Sequence, residues 1–177
     1  MTTSIIRSNN AWWVLVDGGA TRIETDATTT GELLADRAAI ERATTAGATA
    51  IPADLCSPVT TPCRVVAQMT NYISHIKDSG MNPATVPMTF FRKTSHSITG
   101  PADDIVRPAH VKLLDYEVEI GLVIGKDIPV GTTITEANIG EYVAGLVITN
   151  DVSARDLQLP KTQFFEGKSY PTFTPVG

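Results

Sequence analysis

Two glutamates one residue apart, Glu117 and Glu119, stand inside an otherwise largely apolar run, Asp115-Tyr116-Glu117-Val118-Glu119-Ile120-Gly121-Leu122-Val123-Ile124. On a strand, alternate side chains share a face roughly 7 Å apart, so the two carboxylates would project together while Val118 and Ile120 point away. Like charges side by side raise each other's pKa unless a cation lies between them. A surface strand with alternating acids has the same spacing, so the pair needs a third group to carry meaning. Asp151, at the end of the run Tyr142 to Thr149, is either the N-cap of the next turn or a ligand. Two acids on one face and a third at a neighbouring strand end form an oxygen-only site suited to Mg²⁺ or Mn²⁺, with Ca²⁺ also admissible and zinc disfavoured. Lys168 could offset the excess negative charge and hold an anionic substrate. His75 and Asp78 are three residues apart, neighbours on one helical face; the acid would orient the imidazole and raise its basicity, although a surface His–Asp pair has the same spacing.

Several elements must position these groups. Trp12 to Val16, followed by Asp17-Gly18-Gly19, reads as a strand ending in a tight turn, with a short second strand at Thr21 to Glu24. Thr29-Thr30-Gly31-Glu32 has the spacing of a capping box, and Leu33, Leu34, Ala38 and Ile40 give a helical apolar face running to about Ala43. Three prolines between Ile51 and Pro62 bar regular helix and mark a connection, with a boundary near Pro58. Arg64 to Met69 is expected as a strand and Asn71 to Asp78 as a turn or short helix. Met88 to Lys93 reads as an apolar strand ending on two bases, Arg92 and Lys93, which solvated strand-end charges would also explain. Tyr142 to Thr149 is nearly continuous in apolar character, as in a strand buried on both faces.

Composition narrows the class. The 177 residues carry a net charge of −5, and no Lys/Arg-rich run compensates it, which argues against a nucleic-acid partner. No apolar run approaches the ~20 residues of a membrane span and no signal pattern opens the chain, so no membrane association and a cytoplasmic location are expected. Cys56 and Cys63 lack metal-site or disulfide-framework spacing and read as reduced structural thiols.

The order of motifs resembles the fumarylacetoacetate hydrolase family: N-Y-x-x-H at Asn71 to His75, F-x-x-K at Phe90 to Lys93, D-Y-E-x-E at Asp115 to Glu119, N-D-V-S-A-R-D-x-Q at Asn150 to Gln158, and G-K-S at Gly167 to Ser169. The resemblance implies an α+β protein: a mixed β-roll, barrel-like catalytic domain over residues 59–177, preceded by a small α/β domain over 1–58. Members continue beyond the G-K-S segment, so the catalytic domain is expected to be C-terminally incomplete relative to them. By this resemblance Glu117, Glu119 and Asp151 bind Mg²⁺ or Mn²⁺, Lys168 lies in the same pocket, and His75 is the catalytic base. Asp78 stands where many members carry a glutamate, one methylene longer, and Arg92 and Gln158 face the substrate. The implied activity is metal-dependent hydrolysis of a carbon–carbon bond in a small, anionic β-diketo acid, an acylpyruvate or fumarylacetoacetate-like compound. Decarboxylation, isomerisation or hydration of a related keto acid is the alternative. A further alternative is a half-protein that acts only with a complementary chain. A homodimer is expected, or, in that alternative, an assembly in which a separate chain supplies the missing segment.

Overall fold

The computed structural model describes residues 3–161 and 164–177. β1 (Ile5–Ser8) joins β2 (Ala11–Val16) through Asn9 and Asn10, with φ of 49° and 60°; β2 joins β3 (Gly19–Arg22) through Asp17 and Gly18, with φ of 46° and 81°. Positive φ at both central residues is the turn geometry whose twist suits a two-residue hairpin, and Asn, Asp and Gly tolerate it best. The second expected strand is therefore present and begins two residues earlier, as soon as the turn closes.

α1 (Thr30–Ala35) starts at the expected capping box: Thr29 Oγ1 accepts the Glu32 N–H at 3.2 Å, and Glu32 Oε2 accepts the Thr29 N–H at 3.0 Å. The single helix expected to reach Ala43 is instead two, because Asp36 leaves helical geometry (φ −89°, ψ 59°) to start α2 (Arg37–Thr44). Its carboxylate accepts the Thr25 hydroxyl at 2.7 Å and the Ala39 N–H at 3.2 Å. An acid bonded locally to backbone competes with continuation of the helix. The same two bonds hold the Asp36 carboxyl below its usual range. Both helices pack on the sheet around Trp12, Val14, Ile23, Leu33, Ala39 and Ala43. The proline-rich connection contributes β4 (Leu55–Cys56), which pairs with β1 and completes a four-stranded antiparallel sheet, β3-β2-β1-β4.

Beyond it lie β5 (Val65–Met69), α3 (Ile73–Asp78), β6 (Thr89–Lys93), β7 (Ile98–Thr99), β8 (Leu114–Asp115), β9 (Val118–Ile124), β10 (Val143–Asn150), β11 (Ser153–Ala154), α4 (Arg155–Gln158), α5 (Phe165–Lys168) and β12 (Thr174–Pro175). The strands pair as β5/β6, β9/β10 and β8/β11, all antiparallel, and as β7/β12, parallel. A second core, Val111, Val152, Ala154 and Phe173, gathers Leu114, Leu157 and Tyr170 around it. The architecture is mixed α/β. Among the described residues the strands close no barrel, which corrects the barrel-like expectation: four separate two-stranded pairs leave no continuous hydrogen-bonded circuit.

A second correction concerns β10, expected to be buried on both faces. It forms a two-stranded ribbon with β9, and one face of that ribbon, Val118, Ile120, Leu122, Ile124, Leu146 and Ile148, is 53–67% exposed. Period-two alternation turns Glu119, Gly121 and Val123 to the opposite, partly buried side. Apolar sequence sets only that a face is suited to burial; here the described residues cover one face of the pair. Part of the β10 edge is taken, since Ile148 and Gly177 exchange backbone hydrogen bonds of 3.1 and 2.9 Å.

Candidate active site

Glu117 lies in the two-residue break between β8 and β9 rather than within one strand with Glu119. Its position is fixed by the end of β10: Asp151 N–H donates to the Glu117 carbonyl at 2.7 Å, and Glu117 N–H donates to Asn150 Oδ1 at 3.0 Å. The break does not flip the side chains, because Val118 is exposed between two partly buried acids. The shared face expected from the spacing survives without a continuous strand.

Asp151 is buried and central. Its Oδ1 accepts Lys93 Nζ at 2.6 Å and its Oδ2 accepts Lys168 Nζ at 2.5 Å, so it is an ion-pair partner and not a helix cap. Lys93 also donates to the Phe173 carbonyl at 2.7 Å, and Lys168 reaches across to Glu117 Oε2. Arg155, at the start of α4, clamps the other side: Nη2 donates to Glu117 Oε1, Nε to Asp115 Oδ2 at 2.9 Å, and Nη1 to Gln158 Oε1 at 3.0 Å. Buried Ser153 donates to the Asp151 carbonyl at 3.0 Å. Close packing of α5 on α4 brings Lys168 into reach: a Cβ at Gly167 would stand 3.0 Å from the Gln158 Cβ and 3.1 Å from the Ala154 carbonyl.

The charges do not share this burial equally. Burial pushes the Asp151 carboxyl up, but the ammoniums of Lys93 and Lys168 overcome it and hold the group below the usual carboxylate range. Burial wins at Lys93, which is held below the usual lysine value although Asp151 supports its charge. The asymmetry is physical: Asp151 faces two cations, Lys93 one carboxylate. Burial works against the charges of both Arg155 and Asp115, yet their mutual hydrogen bond, with that of Glu117 to the guanidinium, keeps Arg155 firmly protonated and Asp115 below its ordinary range. Glu119 has no such cation of its own. Burial first, then the negative charges of Glu117 and Asp151, raise its carboxyl above the ordinary value. The negative charge of Glu119 in turn raises the neighbouring Tyr72 phenol.

The residues suit a hard divalent cation in kind: three carboxylates within electrostatic reach, one of them under-neutralised. As the side chains stand, the Lys168 ammonium bridges two of the three acids. Among the described residues no three acids, histidines or cysteines are drawn close enough together to coordinate an ion as they stand.

The other expected site residues are placed less centrally. His75 and Asp78 lie on α3, both exposed, and no hydrogen bond joins them among the described residues; buried Ile76 anchors the helix. Tyr72, immediately before that helix, lies within electrostatic reach of Glu119. Gln158 is buried and bonded to Arg155, a position that orients the guanidinium. Arg92 is exposed, borders an aromatic cleft, and lies on the face of β6 opposite Lys93. The two bases part because period-two alternation sends Phe91 and Lys93 inward and Arg92 outward. Lys93, Arg155 and Tyr72 were thus missed as site residues. The alternation of the F-x-x-K segment could have found Lys93, and the single arginine inside N-D-V-S-A-R-D could have been matched to the neighbouring acids.

The mixed α/β scaffold gathers carboxylates and two buried lysines into one cluster. The chain belongs to the fumarylacetoacetate hydrolase family, since residues 64–177 match the profile of the fumarylacetoacetate (FAA) hydrolase C-terminal domain. It is 39% identical over 122 residues to the mitochondrial oxaloacetate tautomerase Fahd2a of Rattus norvegicus, covering 68% of this chain and 38% of that protein. Among solved structures, fumarylacetoacetate hydrolase from Exiguobacterium antarcticum superposes with a TM-score of 0.78 at 29% identity, covering 99% of this chain and 66% of that one. The 5-carboxymethyl-2-hydroxymuconate delta-isomerase from Mycobacterium smegmatis gives a TM-score of 0.66 at 27% identity, covering 100% and 64%. The chain therefore spans well under half the length of the curated relative and about two thirds of these solved chains. Among the described residues no helix is long and apolar enough to cross a membrane. The name of the rat relative is mitochondrial, so it lends no support to the cytoplasmic expectation.

Proposed function

We propose that this chain carries the acid–base centre of a keto-acid enzyme whose common step is proton transfer at the carbon next to a ketone, as in tautomerisation or isomerisation. The observation that carries it is buried Asp151 held between Lys93 and Lys168, with Glu117 and Glu119 beside it. Glu117, Glu119 and Asp151 would hold Mg²⁺ or Mn²⁺, for which Lys168 gives up one of its two carboxylates. When bound, such an ion neutralises charge developing on a substrate carbonyl oxygen. Lys168, once released from Glu117, binds the substrate carboxylate. Lys93 keeps Asp151 ionised and aimed, Arg155 fixes Glu117, and Tyr72 orients Glu119. His75 takes the carbon-bound proton and returns it at the neighbouring position, a role worth about 10²–10⁴ in rate. The 39% identity over 122 residues to a protein named an oxaloacetate tautomerase supports proton transfer as the leading reading.

Carbon–carbon hydrolysis of a β-diketo acid is the second reading, supported by the electrostatic proximity of Tyr72, which opens the helix bearing His75, to Glu119. In it His75, oriented by Asp78, would deprotonate water instead of carbon. The homodimer belongs to the same proposal, and the exposed face of β9 and β10 supports a covering partner there.

The test follows enol absorbance of oxaloacetate, and cleavage of acetylpyruvate, with Mg²⁺ or Mn²⁺ titrated in. Expected is metal-stimulated turnover that Glu119→Ala abolishes together with the metal response, while His75→Ala retains the metal response and loses turnover. Full activity of a Glu119→Ala protein that no longer responds to metal would sink the reading; cleavage without tautomerisation would select the second.

A further inference from the structure

One wall of the site leads somewhere the acid–base centre does not use. The Lys168 ammonium lies 5.1 Å from the centroid of the Phe91 ring. Phe91 also lines a cleft of about 240 Å³, together with Met69, Thr89, Phe90, Arg92, Phe164 and Phe165. Phe91 and Phe164 meet edge to face, centroids 5.5 Å apart and planes at 77°, which forms a rigid corner. Pairing of Met69 with Thr89 and of Ala67 with Phe91 sets the floor, since residues directly opposite on paired strands share a face. Phe165 remains 51% exposed at the mouth. A thioether and four aromatic rings around such a space are good partners for a ring, through edge-to-face and sulfur–aromatic contacts, and the Arg92 guanidinium can stack on a ring face as well. The volume suffices: an apolar cavity of roughly 150 Å³ accepts benzene.

Resting on the keto-acid reading above, we propose that the substrate is a keto acid bearing an aromatic ring remote from its carboxylate. Its polar head lies at Lys168, and its ring lies in the cleft between Met69, Phe91, Phe164 and Phe165. Phe91 adjoins both the ammonium and the cleft, so one molecule can place a carboxylate beside Lys168 and a ring in the cleft. A substrate with only a methyl group or a second carboxylate at that end would leave the cleft wet.

Benzoylpyruvate and acetylpyruvate differ only in carrying phenyl or methyl at the remote end, and so isolate the cleft. With the 177-residue chain and Mg²⁺ or Mn²⁺, calorimetry should show benzoylpyruvate bound about ten- to a hundredfold more tightly, the worth of burying one phenyl group. Phe165→Ala should collapse that ratio toward one, and Phe164→Leu, which keeps an apolar side chain and removes the edge-to-face corner, should reduce it severalfold. Melting temperatures of both variants establish that they are folded; Phe165 is half exposed, so its truncation removes little packing. Equal affinity of the parent chain for the two acids overturns this inference and leaves the keto-acid reading standing, as does a benzoyl preference unchanged in both variants. Failure of both acids to bind with either metal overturns both.

Discussion

Replacing Lys93 with methionine removes one of the two ammoniums that neutralise Asp151 and leaves a side chain of similar length in its place. The Lys93 side chain is 2% exposed and that of Asp151 11% exposed, so water cannot take over the lost interaction. Breaking a buried ion pair from one side costs about 3–5 kcal/mol. Here Lys168 remains 2.5 Å from Asp151 and lowers that cost. The Phe173 carbonyl loses its 2.7 Å donor but keeps the Val152 N–H at 3.2 Å, so it is not left unpaired and adds little. A net loss of about 3 kcal/mol corresponds to a fall of about 6–12 °C in Tm for a chain of this size. The pH dependence should change too. The Asp151 pKa lies below its ordinary 3.8, so its stabilising contribution is complete above that value and lost as pH falls through the folded pKa. With Lys93 gone, burial is opposed by one ammonium, the folded pKa moves up, and acid unfolding begins at higher pH. Thermal melts followed by circular dichroism between pH 3 and 7 measure both effects. A variant melting within a degree of the parent at pH 7, with the same acid midpoint, would refute the role assigned to Lys93.

The Glu119 pKa is raised above its ordinary 4.5, so its contribution favours the fold below that value and is lost as pH rises through the folded pKa. Glu119→Gln should therefore raise the Tm of the metal-free protein at pH 7 and abolish any rise caused by Mg²⁺ or Mn²⁺; differential scanning fluorimetry with and without metal checks both. Trp12 is 2% exposed, and its indole N–H donates to the Ala27 carbonyl at 2.9 Å. Trp12→Ala should cost about 3–5 kcal/mol in denaturant unfolding.

Some of this protein was legible residue by residue because the physics is local. The capping box at Thr29 and Glu32 needs only four consecutive residues, and it forms as the spacing requires. The turn at Asp17 and Gly18 needs two residues that tolerate positive φ, and the short helix at His75 follows its own pattern. The acids at 117, 119 and 151 were picked out because carboxylates in apolar runs are costly wherever they fold, and the structure brings them into electrostatic reach of one another. What the sequence could not decide was which cation meets which anion. Arg92 and Lys93 are adjacent and chemically alike, and only the pairing register of β5 with β6 turns one outward and buries the other against Asp151 and Phe173. Asp36 breaks a helix that its flanking residues would continue, because Thr25, eleven residues away, is there to bond it. Burial of β9 and β10 likewise depends on what packs over each face, a relation between distant segments that a run of apolar residues does not contain. Local spacing determined the candidates; tertiary contacts decided that Lys93, Lys168 and Arg155 surround those acids, because charge pairing in a buried site depends on distance in space and not along the chain.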